Sequence, residues 1–208
     1  MTASSTRMRP QTQRTRGSLR IVGGLLVALL AVWVLFASIH IVSPSQGELQ
    51  TRSDAVASLA PQAHRLPLAE QLVAEDVADT LVISYFPDDV SRGGSGAADD
   101  PVPVSNYSES SGGGEGIKCF TPEEAATIGE AYSISDMVAA ESWDSLTVVT
   151  DEYHAFRTRF IFDQCLGDEV DVNVVFSDRD LNVGQWGYHL VYENAAFLKA
   201  ALQTAVRC

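Results

Sequence analysis

Residues 146–192 read LTVVTDEYHAFRTRFIFDQCLGDEVDVNVVFSDRDLNVGQWGYHLVY, and the periodicity of this stretch decides the fold. Four segments in it carry strand signals: Leu146–Thr150, His154–Asp163, Val170–Ser177 and Gln185–Tyr192. In the second, Phe156, Thr158, Phe160 and Phe162 alternate with Arg157, Arg159 and Ile161, a period of two with one aromatic face. The third alternates Val170, Val172, Val174 and Phe176 against Asp171, Asn173 and Val175, and the fourth offers Trp186, Tyr188, Leu190 and Tyr192. Short connections such as Leu166-Gly167-Asp168-Glu169 favour antiparallel neighbours.

Working outward, Thr121-Pro122-Glu123-Glu124 reads as a capping box that starts a helix running to Ala131, and Ser135-Asp136 as the cap of a second, through Met137, Val138 and Trp143. Asn194 reads as the cap of a terminal helix packed through Phe197 or Leu198, Ala201, Leu202 and Ala205. Helix, helix, four-stranded antiparallel meander and helix predict an α+β domain over residues 118–208, with the helices on one sheet face. In layout alone the chain looks like anchored cystatin-like or NTF2-like assembly subunits, with the terminal helix as a departure from their order.

The segment 87–117 holds seven of the chain's fifteen glycines, six serines, three prolines and six acids against one arginine. It reads as a disordered Gly/Ser/Asp-rich linker, too poor in apolar surface to offset its ordering entropy. Asn106-Tyr107-Ser108 within it fits a glycosylation sequon. Before it, residues 44–86 read as a stalk: a small, polar, Ala-rich stretch over 44–65, a helix opened by Pro67 through Leu68, Leu72, Val73 and Val77, and a strand at Thr80–Phe86 that ends at Pro87.

Residues 21–43 read as a transmembrane helix, its core Ile21–Val42 (IVGGLLVALLAVWVLFASIHIV) having 22 residues without a formal charge. At ~1.5 Å per residue it spans ~33 Å, enough for a ~30 Å hydrocarbon core. The run is long for a cleaved signal peptide, the exits at Leu35-Phe36-Ala37 and Ile41-Val42-Ser43 are bulky where small residues are wanted, and no lipidated cysteine follows. Residues 1–20 form a basic tail: residues 1–43 hold Arg7, Arg9, Arg14, Arg16 and Arg20 and no acid. The positive-inside rule therefore places the N-terminus in the cytoplasm and residues 44–208 outside it, as a single-pass protein of the cell membrane. An Arg- and Ser-rich, acid-free start also fits an organellar transit peptide, which would put the domain in an intermembrane space. Gly24 and Ala28 make a small-xxx-small pair suited to self-association in the bilayer.

All 27 acids lie from Glu48 onward, and against nine basic residues they give residues 44–208 a charge of −18. Such a domain repels a phosphate backbone, which excludes nucleic acid as the expected partner. The three cysteines leave one over after pairing. An antiparallel meander would bring Cys119 and Cys165 to one sheet edge and send Cys208 to the other, so the expected disulfide is Cys119–Cys165, with Cys208 free or joined to another chain.

Chemical motifs are sparse. There is no HExxH, CxxC, G-x-S-x-G or phosphate-binding lysine loop, and no cofactor is expected. His154, His189 and Asp163 could share a metal only if the strands aligned them. Asp178, Asp180 and Asn182 match the opening of a calcium loop, but Val183 stands where its glycine belongs and His189 where its bidentate glutamate does. The leading expectation is a non-enzymatic accessory or interaction subunit of an envelope complex, its acidic surface facing a basic partner protein. A calcium-binding exported module is the first alternative. The second is an exported hydrolase with a dispersed site, which requires a cleft near His154 or His189 and a neighbouring carboxylate.

Overall fold

A computed structural model describes residues 12–86 and 116–208, with side chains from Arg20 onward. The linker expectation, the sequon at Asn106 and the start of the basic tail fall almost wholly outside these residues. Two compact units result, Met1–Ser38 and Ile39–Cys208. The first consists of most of α1 (Thr12–Val42), in which Arg20–Val42 is long and apolar enough to cross a membrane. Only 11% of that window is buried, so its apolar side chains lack the protein cover of a core helix.

The second unit is an α/β layer structure. Its strands are β1 (Ala55–Ser58), β2 (Thr80–Ser84), β3 (Ile117–Phe120), β4 (Ser145–Asp151) and β5 (Asp171–Ser177). They form one five-stranded sheet in the order β3-β2-β1-β4-β5, every neighbouring pair parallel. Between and after them run α2 (Gln62–Ala74), α3 (Thr127–Glu141), α4 (Ala155–Leu166) and α5 (Val183–Arg207). Helices α2, α3 and α4 each carry the chain back to the end of the sheet where the preceding strand began, so the next strand runs parallel; the β2 to β3 connection lies outside the described residues.

The antiparallel meander, and the α+β class with it, is thus overturned. Leu146–Thr150 and Val170–Ser177 are strands, but His154–Asp163 lies in a 3₁₀ turn (Glu152–His154) and α4, and Gln185–Tyr192 lies in α5. In α4 the buried residues are Ala155, Thr158, Ile161 and Phe162, a three-and-four spacing that one helical face requires. The aromatic alternation at 156–162 was a seven-residue coincidence between the two periods. The cap of the last helix is Asn182, whose side chain accepts from the Gln185 amide while Gln185 returns a bond to the Asn182 amide. Asn194 lies about three turns inside it. The box at Thr121–Glu124 starts no helix: α3 begins at Thr127 after extended Ala126, and runs unbroken through Ser135 to Glu141. Pro67 sits inside α2 rather than opening it.

The supposed stalk is also part of the fold. Ala55–Ser58 is the central strand, buried on both faces, and a fully covered parallel strand needs no polar alternation. One face packs Val56, Leu81, Ile83, Val149 and Val175 under Leu66, Ala69 and Leu72 of α2. The other packs Ala55, Ala57, Val82, Leu146, Val148 and Val174 under Ile128, Ala131 and Ile134 of α3, Ile161 and Phe162 of α4, and Ala200 of α5. Residues 45–48 run along the open edge of β5: the Gly47 amide donates to Val174 O at 3.0 Å, and Gln46 bonds both ways with Phe176. A side chain at Gly47 would collide with Asn173 and Val174, so glycine is required for this approach. The segment covers an edge that would otherwise be open to strand pairing.

The disulfide joins Cys165 to Cys208, with S–S 2.05 Å, and Cys119 on β3 is not part of it. With α4 and α5 both helical and on one face, their C-terminal ends meet, whereas β3 is the far edge strand. The antiparallel route that was to bring Cys119 beside Cys165 does not exist. Cys208 is accordingly held within its own chain and gives no bridge to a second one.

Candidate active site at the carboxyl end of the sheet

In a parallel sheet whose strand order reverses, the loops leaving two adjacent strands diverge to opposite faces and leave a crevice at their carboxyl ends. Here the reversal falls between β1 and β4. The chain leaves β1 through Ala60 and Pro61 into α2, on one face, and leaves β4 through Tyr153 and His154 into α4, on the other. A cavity of about 400 Å³ lies there, within the range of small-molecule sites. Its lining includes Pro61, Arg65, Thr127, Glu130, His154, Arg157, His189 and Glu193.

The polar groups are connected. His154 Nε2 lies 3.1 Å from Thr127 Oγ1, and its Nδ1 lies 3.5 Å from Glu193 Oε2, within ion-pair reach but without a hydrogen bond. Arg157 grips the same carboxylate with both arms, Nε donating to Oε2 at 2.7 Å and Nη2 to Oε1 at 2.9 Å. The local sequence explains the placement. His154 closes the 3₁₀ turn and precedes α4, and Arg157, three residues on, falls on the same side of the chain. Glu193 faces inward from the middle of α5 and is 2% exposed.

The protonation states follow from these neighbours. Burial, then Arg157, drives His154 down to about 4 against the opposing pull of Glu193, so its imidazole is neutral at pH 7. Burial would raise Glu193, but His154 and the Arg157 clamp outweigh it and hold the carboxyl at about 2. An ionised Glu193 only accepts, so the imidazole proton belongs on Nδ1 and the Nε2 lone pair faces the Thr127 hydroxyl.

A second buried set, in which Arg65, Glu130 and Tyr153 also line the cavity, fixes the loops. Arg65 Nε and Nη2 donate to Asp151 Oδ2 at 3.0 and 2.7 Å, and its Nη1 bonds the Ala60 carbonyl. Both partners are nearly fully enclosed, at 5% and 2% exposure. Burial works against the charge on Asp151, and Arg65 overcomes it and holds the carboxyl below its usual range. Glu130 accepts from the Ala60 amide at 2.8 Å, and burial pushes its carboxyl up. Tyr153 donates to Asp151 at 3.0 Å, is raised to about 12 by burial and by Asp151, and stacks on His189 at 3.7 Å.

Three helices begin at this end of the sheet. The N-cap positions of α2, α3 and α4 are Pro61, Ala126 and His154, none of which supplies a side-chain cap to the first turn, and all three line the cavity. First-turn amides carry partial positive charge, although the first of α4, Ala155, is taken by the Glu152 carbonyl of the preceding 3₁₀ turn; Arg65, Arg157 and Lys199 stand in the same wall.

Of the residues singled out in the sequence, His154 and His189 both line this cavity. Asp163 does not; it faces a separate acidic depression with Asp144, Asp168 and Asp171. Asp178, Asp180 and Asn182 lie in the loop before α5, where the Asn182 side chain is committed to the helix cap. Among the described residues no cluster of three His, Cys, Asp or Glu is arranged to hold a metal. Thr127, Glu130, Arg65, Asp151, Arg157 and Glu193 were missed by motif search. One signal for them was present: Asp151 and His154 directly follow an apolar strand, where parallel sheets place their chemistry.

No known protein-family model matches the chain, and no curated protein matches it.

Proposed function

We propose that residues 44–208 form an extracytoplasmic hydrolase-type domain, held at the membrane by α1 with the N-terminus in the cytoplasm, acting on a small anionic ester. The observation that carries the reading is the Thr127–His154–Glu193 relay opening on a cavity at the strand reversal. The exported-hydrolase alternative required a cleft near His154 or His189 with a neighbouring carboxylate, and this cavity has both. The starts of α2 and α3 and the ammonium of Lys199 favour a phosphoryl or carboxyl group on the ligand.

In the proposed step, His154 Nε2 takes the Thr127 hydroxyl proton as Oγ1 attacks the electrophilic phosphorus or carbon. The leaving oxygen receives that proton from His154, and water repeats the sequence to free Thr127. Glu193 fixes the imidazole tautomer and Arg157 fixes Glu193; both are positioning residues. The interaction-subunit reading is a separate proposal, favoured by the apolar outer face of α5.

The test is turnover of aryl phosphates and aryl carboxylate esters by the full chain in detergent. His154→Gln and Thr127→Ala should each lower kcat/KM by about 10²-fold or more, the usual weight of general-base assistance, with melting temperature within a few degrees of wild type. Turnover that survives both changes would sink the relay.

A further inference from the structure

From the two ends of the cavity we infer its ligand class: an aryl ester whose anionic group lies by Lys199 and whose ring lies among Tyr188, His189 and Tyr192. The inference rests on the hydrolase reading in placing the ester at Thr127. α5 runs along the cavity and lines it on both sides of Glu193. Tyr188, His189 and Tyr192 come before that residue, and Ala196, Lys199 and Gln203 after it. At ~100° per residue Tyr188, Tyr192, Lys199 and Gln203 fall within about 60° of one another around the helix, so they form one rim. At ~1.5 Å per residue Tyr192 and Lys199 stand ~10 Å apart along it, room for one aromatic ring joined to a phosphoryl or carboxyl group.

The cationic end is set by what the other charges do. Arg157 is committed to Glu193, and Arg65 to Asp151. Lys199 makes no ion pair among the described residues. Glu124, the acid whose charge it offsets, is already bridged by Arg207 at 2.7 Å. Gln203 donates to Glu124 at 3.3 Å, which brings this part of α5 beside the chain entering α3, whose first residue is Thr127. An anion held by Lys199 is thereby presented to the Thr127 hydroxyl.

The opposite end is aromatic. His189 stacks on Tyr153 at 3.7 Å and meets Tyr188 edge-on at 5.4 Å, and Tyr188 and Tyr192 lie nearly parallel at 6.0 Å. Tyr188 and Tyr192 remain 64% and 50% exposed, which leaves ring surface for a further partner. A ring on such a wall gains from offset or edge-to-face contact beyond the area it buries, and a saturated group does not. The chemistry agrees. His154, driven down to about 4, is a weak base, and a phenol leaves far more readily than an alkyl alcohol, so an aryl ester demands least of it.

The experiment measures binding, apart from turnover. The full chain in detergent is titrated with benzylphosphonate, in which carbon replaces the ester oxygen of phenyl phosphate, and with cyclohexylmethylphosphonate and methylphosphonate. Benzylphosphonate should bind about tenfold or more tighter than methylphosphonate, and about threefold or more tighter than its saturated counterpart. Lys199→Gln should weaken all three by a common factor of about fivefold. Tyr188→Leu and Tyr192→Leu together should erase the preference for the aromatic ring and leave methylphosphonate unaffected. All three side chains are exposed, so melting temperatures should stay near wild type. Absence of benzylphosphonate binding, equal affinity for the ring and its saturated counterpart, a preference indifferent to the tyrosines, or affinity indifferent to Lys199→Gln would each overturn the inference. The relay stands or falls separately: this binding pattern without ester turnover upholds the inference and sinks the relay, and turnover without the pattern does the reverse.

Discussion

His154 and Glu193 make this domain acid-sensitive in a specific window. The ordinary value for histidine is 6.5 and that of folded His154 about 4, so between these the unfolded chain binds more protons. Stability contributed by the neutral imidazole is full above about 6.5 and is lost as pH falls toward 4. Glu193, brought from 4.5 down to about 2, adds a second loss beginning as pH falls below 4.5. Melting temperature should therefore fall between pH 6.5 and 4, and His154→Gln should flatten that part of the curve. If His154 is the base, the acid limb of kcat/KM should sit near 4 rather than 6.5. Glu193→Gln should move it lower still, because Glu193 is what raises His154 and Arg157 would face it unopposed. A limb that stays near 6.5 in wild type removes His154 from the role. The Arg65–Asp151 pair calls for a different measurement. Asp151→Ala strands a buried guanidinium and should cost about 3–5 kcal/mol in denaturant unfolding, whereas an exposed pair such as Arg52–Asp79 should cost about 0–1.

At the scale of elements, α5 supplies one wall of the cavity, through Tyr188, His189, Glu193, Lys199 and Gln203 among others, and it is fastened at its end. Cys165–Cys208 ties the residue that caps it to α4, and Glu124 accepts from Arg207 at 2.7 Å and Gln203 at 3.3 Å. Opening the disulfide frees a loop of 43 residues' separation, for which chain entropy suggests about 2–4 kcal/mol. For a domain of this size that is roughly 5–15 °C in melting temperature. Cys208→Ser should show a drop in this range, and no change would mean the salt bridges alone seat the helix. The same elements show what the sequence could and could not disclose. β2, β4 and β5 were legible because Val, Ile and Phe runs bounded by polar residues need no partner to be recognised. α4 and the start of α5 were not, because aromatics at 156, 160 and 162 and at 186, 188 and 192 satisfy period two and period 3.6 over so short a window. The decisive local sign was Asn182-Val183-Gly184-Gln185, a reciprocal cap that a strand has no use for. β1 was hidden by composition: Ala55-Val56-Ala57-Ser58 is small because it is covered on both faces, and small residues in an Ala-rich stretch look like tether.

For the whole molecule, those misread helices carried the site away with them. With 154–163 and 185–192 taken as strands, His154 and Glu193 belonged to different edges of a sheet, and no relay could be assembled. Once the sheet is parallel, both fall at the carboxyl end, where order β3-β2-β1-β4-β5 opens a crevice. The membrane reading depends on none of this. It rests on 23 residues, Arg20–Val42, and on five arginines before the span's apolar core against 27 acids beyond it. Because disulfides persist chiefly in oxidising compartments, the redox state of Cys165 and Cys208 offers a second test of that reading. The expected outcome is a chain recovered with membranes, resistant to carbonate extraction, its C-terminal reporter active outside the cytoplasm, and Cys165 and Cys208 refractory to alkylation until reduced. Replacing Arg7, Arg9, Arg14, Arg16 and Arg20 by serine while placing arginines at 44–48 should invert part of the population. The inverted chains should then carry both thiols reduced. Reporter and thiol state must change together; a reporter that moves while the disulfide persists would separate the bond from the compartment and remove it as support for export.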